Sequence, residues 1–143
     1  MSLLDQVKAD VTTALKAGDR ERAGALRLIT NELQKAAKEG KADEVEVLQR
    51  ERKRRLEAAE AYREGDRQEM AAGEEQEAEI ISGYLPEELS DDELGAIVGD
   101  AVAQSGASSP QEMGKVMSMV MPQVKGRADG KRVSDAVKEK LTA

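Results

Sequence analysis

The sequence predicts an all-α protein, a four-helix N-terminal domain followed by a small three-helix tail domain. Three observations carry that reading. Charged residues make up 36% of the 143-residue chain and aromatic residues 1%, and runs of β-branched residues are absent. Such a profile, rich in Ala, Glu, Lys, Arg and Leu, is that of helices. N-cap residues recur with an acid three positions on, and glycines fall where the helices so started should stop.

Taken in order, Ser2 with Asp5 opens a first helix near 2–17, with Leu4, Val7, Val11 and Leu15 at the spacing of one face. Gly18 closes it and Asp19 caps a second helix near 19–39, lined by Leu26, Ile29 and Leu33 and ended by Gly40. Asp43 with Glu46 opens a third near 43–64, served less regularly by Leu48, Leu56, Ala59 and Tyr62, with Gly65 beyond it. Asp66 with Glu69 reads as the cap of a fourth, near 66–82, closed by Gly83 and Pro86. Ser90 with Glu93 starts a fifth near 90–105, where Leu89 and Leu94 flank the cap as a hydrophobic staple. Ser109 with Glu112 starts a sixth near 109–125, striped by Met113, Val116, Met117, Val120, Met121 and Val124. Gly126 ends it, and Asp129 caps a seventh near 129–142, lined by Val133, Val137 and Leu141. The break at "GYLPEELSDDEL" divides the chain into residues 1–88 and 89–143.

Composition excludes whole classes of chemistry. There is no Cys, His, Trp or Phe. Disulfides, thiolate chemistry and Cys-based zinc sites are therefore out, as is the commonest general base and metal ligand. Methionines 113, 117 and 121 beside valines read as core packing. No metal or cofactor is expected. With Tyr62 and Tyr84 as the sole aromatics, no platform exists for stacking successive bases. No run reaches the roughly 18 apolar residues of a membrane span, and "MSLLDQVKAD" lacks the form of a signal peptide, so a cytoplasmic protein without a membrane partner is expected.

Two basic clusters stand out in a chain of formal net charge −7. The first, "VKGRADGKRV", brings Lys125, Arg127, Lys131 and Arg132 around Gly126, Asp129 and Gly130. As a phosphate-binding P-loop "GRADGKR" fails: a residue is missing between the glycines, Arg132 replaces the hydroxyl residue, and a helix precedes it. Gly126 and Asp129 make sense as a helix stop and the next start. Lys131 and Arg132 do not, because they load cations onto the positive end of a helix. With Lys115, residues 110–143 carry seven bases against four acids, +3, and the remainder of the chain carries −10. That asymmetry is the footprint of phosphate-backbone contact. The second cluster, "RERKRR", gives Arg50, Arg52, Lys53, Arg54 and Arg55 as a second candidate RNA contact, against a plain solvated face with Glu46–Arg50 and Glu51–Arg55 pairs.

"MGKVMSMVMPQVKGRADGKRVSDAVKEKL" (113–141), preceded by "YLPEELSDDEL" (84–94), resembles the YqeY-like family, and "LRLITNEL" and "EVEVLQRERKRR" extend the resemblance over nearly the whole chain. Gly114, Lys115, Val116, Met117, Lys125, Gly126, Arg127, Ala128, Asp129, Gly130 and Val133 match the pattern this family shares with the tail domain of the B subunit of tRNA-dependent amidotransferases (GatB). The resemblance implies a helical N-terminal domain plus a three-helix tail, and a tail that helps hold tRNA. It implies no catalytic residue here: the amidotransferase active sites lie in domains and subunits this chain lacks. A label of carbon–nitrogen ligase with glutamine as amide donor would describe the company the domain keeps. The expected function is that of a non-catalytic accessory protein binding tRNA or a tRNA–enzyme complex through Lys115, Lys125, Arg127, Lys131 and Arg132, with Gly114, Gly126, Asp129 and Gly130 structural. The alternative is an adaptor that docks on an aminoacyl-tRNA synthetase or amidotransferase without touching RNA.

Overall fold

A computed structural model of the chain describes residues 1–40 and 43–142. Among these, seven α-helices and no strand are found: α1 (Leu3–Lys16), α2 (Arg20–Lys38), α3 (Glu44–Glu64), α4 (Gln68–Ser82), α5 (Asp91–Ser105), α6 (Met113–Val124) and α7 (Gly130–Thr142). A 3-10 turn, Pro110–Glu112, precedes α6. No described helix is long and apolar enough to cross a membrane. The chain divides into two compact units, Met1–Leu85 and Pro86–Ala143.

The capping chemistry largely forms as read. Ser2 and Ser90 make full capping boxes with Asp5 and Glu93, and Asp19 and Asp43 accept from Arg22 N and Glu46 N. Two starts are different. α6 begins at Met113, behind the 3-10 turn that follows Ser109, and its N-cap Glu112 makes no side-chain cap hydrogen bond. Asp66 has φ +60°, the left-handed conformation just past α3, so it terminates that helix instead of opening α4, whose N-cap, Arg67, makes no side-chain hydrogen bond. Gly65 and Gly83 are not left-handed, whereas Gly18, Gly40, Gly106 and Gly126 are. The stop after α3 thus falls on an aspartate, one of the few non-glycine residues that tolerate this region.

In the first unit α1 pairs with α2 and α3 with α4, and α2 also packs on α3 and α4. Val7, Ala14, Leu26, Ile29, Leu33, Val47, Leu48, Ile81 and Leu85 form its apolar core. The apolar spacing places Leu15 and Leu56 on inward faces, but they are 46% and 49% exposed; Ala14 is buried in α1, and Ala59, read as inward beside Leu56, is buried in α3. The Glu44 carboxylate, at the start of α3, accepts from the backbone N–H groups of Leu3 and Leu4 at 3.1 and 2.8 Å. It thereby satisfies orphan donors at the start of α1 from 40 residues away.

Tyr84 closes the unit by donating its hydroxyl to Asp10 on α1. Burial, then that hydrogen bond and the Asp10 charge, push the Tyr84 hydroxyl well above the usual tyrosine range. The folded protein therefore holds this proton more tightly than the unfolded chain does. Stability from this group is complete below about pH 10 and is lost as pH rises beyond it. Tyr84→Phe should flatten the alkaline limb of a Tm-against-pH curve and lower stability at neutral pH by about 0.5–1.5 kcal/mol. An alkaline limb identical in the two proteins would refute the assignment.

In the second unit α5, α6 and α7 pack pairwise. Leu89, Leu94, Val98, Ala101, Val116, Val120, Val124, Ala128, Val133, Val137 and Leu141 bury one continuous core. Val116, Val120 and Val124, four apart, are each 0% exposed. Met113, Met117 and Met119 pack at its margin, and Met121 is 36% exposed.

Candidate nucleic-acid interface

The α6–α7 corner is built by backbone geometry before any charge enters. α6 stops at Val124, whose carbonyl accepts from both Arg127 N (2.8 Å) and Ala128 N (3.2 Å). That reversal requires Gly126 at φ +79°. Asp129 then caps α7, accepting from Arg132 N at 2.8 Å. Val124, Ala128 and Val133 are buried beneath, so the corner rests on the core. Gly114 and Gly130 differ from Gly126. Neither has positive φ, and a Cβ at either would meet open space, so the local fold alone does not demand glycine there.

The segment leading into α5 is clamped along this corner. Leu89 N donates to Arg127 O at 2.8 Å. Arg127 Nε donates to Glu87 O at 3.0 Å. Arg132 Nη2 donates to Leu89 O at 2.9 Å and to the Asp91 carboxylate at 3.0 Å. Arg132 thus finds an acidic partner 41 residues earlier in the chain. Both arginines are half-buried, whereas Lys115, Lys125 and Lys131 are exposed. The five bases named from sequence therefore divide by chemistry: guanidinium groups, with several planar donors, tie segments together, and lysines face water.

Carboxylates also lie near the basic residues of this unit. Glu93 is held below the usual carboxylate range by the Ser90 backbone N–H and hydroxyl, with Arg127 a lesser cause. Glu112 is held low by the backbone N–H groups of Ser108 and Ser109, with Lys115 again a lesser cause. Across residues 86–143 ten acids against seven bases leave −3. The +3 of residues 110–143 is thus set against the acidic stretch that packs beside it.

The second cluster does not stay together. Arg50, Lys53 and Arg54 are exposed, but Arg52 is only 8% exposed, with Nη1 3.4 Å from Ser82 Oγ. Arg55 reaches Glu51 (3.9 Å), Glu74 (3.4 Å) and Glu77 (2.9 Å). Glu77 Oε2 is covered and lies off the hydrogen-bond axis, so the last contact is a charge pair. Arg54 pairs with Glu51 at 3.0 Å. Arg50 and Arg54 border a small cleft that also holds Glu32, Lys35, Glu39 and Glu51, which is mixed rather than basic. Inward positions 48, 52, 55 and 59 of α3 follow helical spacing, so the two arginines occupy places that apolar residues would normally fill. Sequence reading missed this because a charged residue on an inward stripe carries no periodic signal.

A family model described as Yqey-like protein matches residues 4–141. The chain belongs to the Yqey-like protein family. A curated relative, "Altered inheritance of mitochondria protein 41, mitochondrial" of Pyrenophora tritici-repentis (strain Pt-1C-BFP), is 24% identical over 149 residues. The match spans 99% of this chain and 82% of the relative. In this Yqey-like protein the matched region takes in both basic clusters and the whole α6–α7 corner.

Proposed function

We propose that this Yqey-like protein is a non-catalytic accessory factor that binds structured tRNA, or a tRNA–enzyme complex, through phosphate contacts from the α6–α7 corner. The observation that carries the reading is the exposure of Lys125 and Lys131 at a corner held by its own backbone and by Arg127 and Arg132, with Lys115 exposed at the other end of α6. A backbone already held in place leaves only the lysine side chains to be ordered against a phosphate track. The bare backbone at Gly114 and Gly130 leaves room for close approach. The resemblance to the tail of amidotransferase B subunits supports tRNA as the polyanion. Arg127 and Arg132 act here chiefly as positioning residues. The scarcity of aromatics favours contact by shape and backbone over base readout.

Three lysine–phosphate contacts give a log–log salt slope of roughly −2 to −3. Fluorescence anisotropy with bulk tRNA at two salt concentrations tests this. Lys115→Glu/Lys131→Glu should weaken binding at least tenfold at low salt while leaving the melting temperature nearly unchanged. Equal binding by both proteins, or none by wild type at low salt, rejects the site.

A second reading, an adaptor docking on a synthetase or amidotransferase without RNA contact, is favoured by one specific observation: the −3 charge of residues 86–143. Binding to such a purified enzyme that survives nuclease treatment, with no affinity for free tRNA, would decide for it.

A further inference from the structure

We propose that Asp91 is an autoinhibitory phosphate mimic: its carboxylate occupies Arg132 in the resting protein and must be displaced for the α6–α7 corner to grip a polyanion fully. This rests on the tRNA-binding reading above and adds a regulated contact to it.

The geometry supplies three reasons. Arg132 Nη2 directs its donors to Leu89 O and Asp91 Oδ1, and the second is a charge-assisted contact of 3.0 Å, which is the kind a phosphate oxygen makes with a guanidinium. The Asp91 side chain is 97% exposed and that of Arg132 31%, so the pair is held by an acid lying in water, and its release returns the carboxylate to solvent. Exposed pairs of this sort are weak and are readily exchanged for a denser anion. Arg132 also borders an open cleft of about 580 Å³ between α5 and α7, with Gly95, Asp135, Glu139 and Lys140 on its walls, so a ligand can reach the guanidinium. The contact to Leu89 O would persist after displacement and keep the side chain aimed.

Asp91 is the first residue of α5, whose cap is made by Ser90 and Glu93, so Asp91→Asn leaves the capping box in place. Bulk tRNA is titrated by anisotropy into wild type, Asp91→Asn and Asp100→Asn; the last removes an exposed charge elsewhere on α5. Circular dichroism and melting confirm that all three are folded. The expected result is about fivefold tighter binding for Asp91→Asn at low salt and a salt slope steeper by about one, as one further phosphate is neutralised. Asp100→Asn should change affinity less than twofold. Equal gains in the two variants would reduce the effect to bulk charge and overturn the inference. No gain in Asp91→Asn while wild type binds would overturn it and leave the tRNA reading intact. Failure of wild type and variant alike to bind would remove both.

Discussion

Arg55→Ala is expected to lower the stability of the protein by about 2–3 kcal/mol. Its guanidinium lies among three carboxylates, Glu51, Glu74 and Glu77, whose side chains are 9%, 21% and 30% exposed. Removing one partner of a fully buried ion pair costs about 3–5 kcal/mol, mainly through the charge left behind. Partial exposure of Glu74 and Glu77 lets water screen part of that penalty, hence the lower figure. Ala59, Ala71 and Ala78, buried on the same two helices, contribute only small side chains, and Arg63 adds an exposed pair with Glu75. Urea unfolding followed by circular dichroism measures the loss, and Arg54→Ala, whose side chain is 67% exposed, serves as the reference at under about 0.5 kcal/mol. tRNA affinity measured well below the melting temperature should stay within twofold of wild type. A variant as stable as wild type but impaired in RNA binding would return the Arg50–Arg55 stretch to the interface.

Val120→Asp should cost more than about 4 kcal/mol and abolish cooperative folding of residues 86–143. Val120 is 0% exposed at the centre of the α6 stripe, among Val116, Val124 and residues of α5 and α7. The substitution loses the burial of a valine and forces a carboxylate into an apolar core with no partner, two of the largest penalties a single change can carry. A core of about a dozen Val, Leu and Ala residues has little reserve against it. The neighbouring Met121→Asp, at a position 36% exposed, should change stability by less than about 1 kcal/mol. Thermal melts of the two variants test the rotation of α6 directly. Comparable effects at both positions would mean that the stripe does not face the core as described.

Helix starts proved easy to read because capping is local chemistry. Ser2, Asp19, Asp43, Ser90 and Asp129 each bond a backbone N–H three residues on, and both partners lie within one turn. Asp66 misled because the same side chain also suits a left-handed helix end, and type alone does not separate the two uses. The valines of α6 and α7 were legible by their four-residue spacing. Leu15 and Leu56 were not, since a leucine gains nothing decisive when small neighbours such as Ala14 and Ala59 fill a tight seam.

The candidate site was legible as composition and not as wiring. The sequence alone determined an all-helical chain, the places where its helices begin, the chemistry it lacks, and a concentration of cations at one corner. Only the tertiary structure decided which cations meet solvent. Arg132 finds Asp91 from 41 residues away, Arg127 takes the Glu87 carbonyl, and Arg55 finds Glu74 and Glu77 across a helical hairpin. Those pairings depend on which faces the packed helices bring together. Charge in a linear chain has sign and spacing but no direction, and direction is what separates an arginine tied to a neighbouring segment from a lysine exposed to solvent.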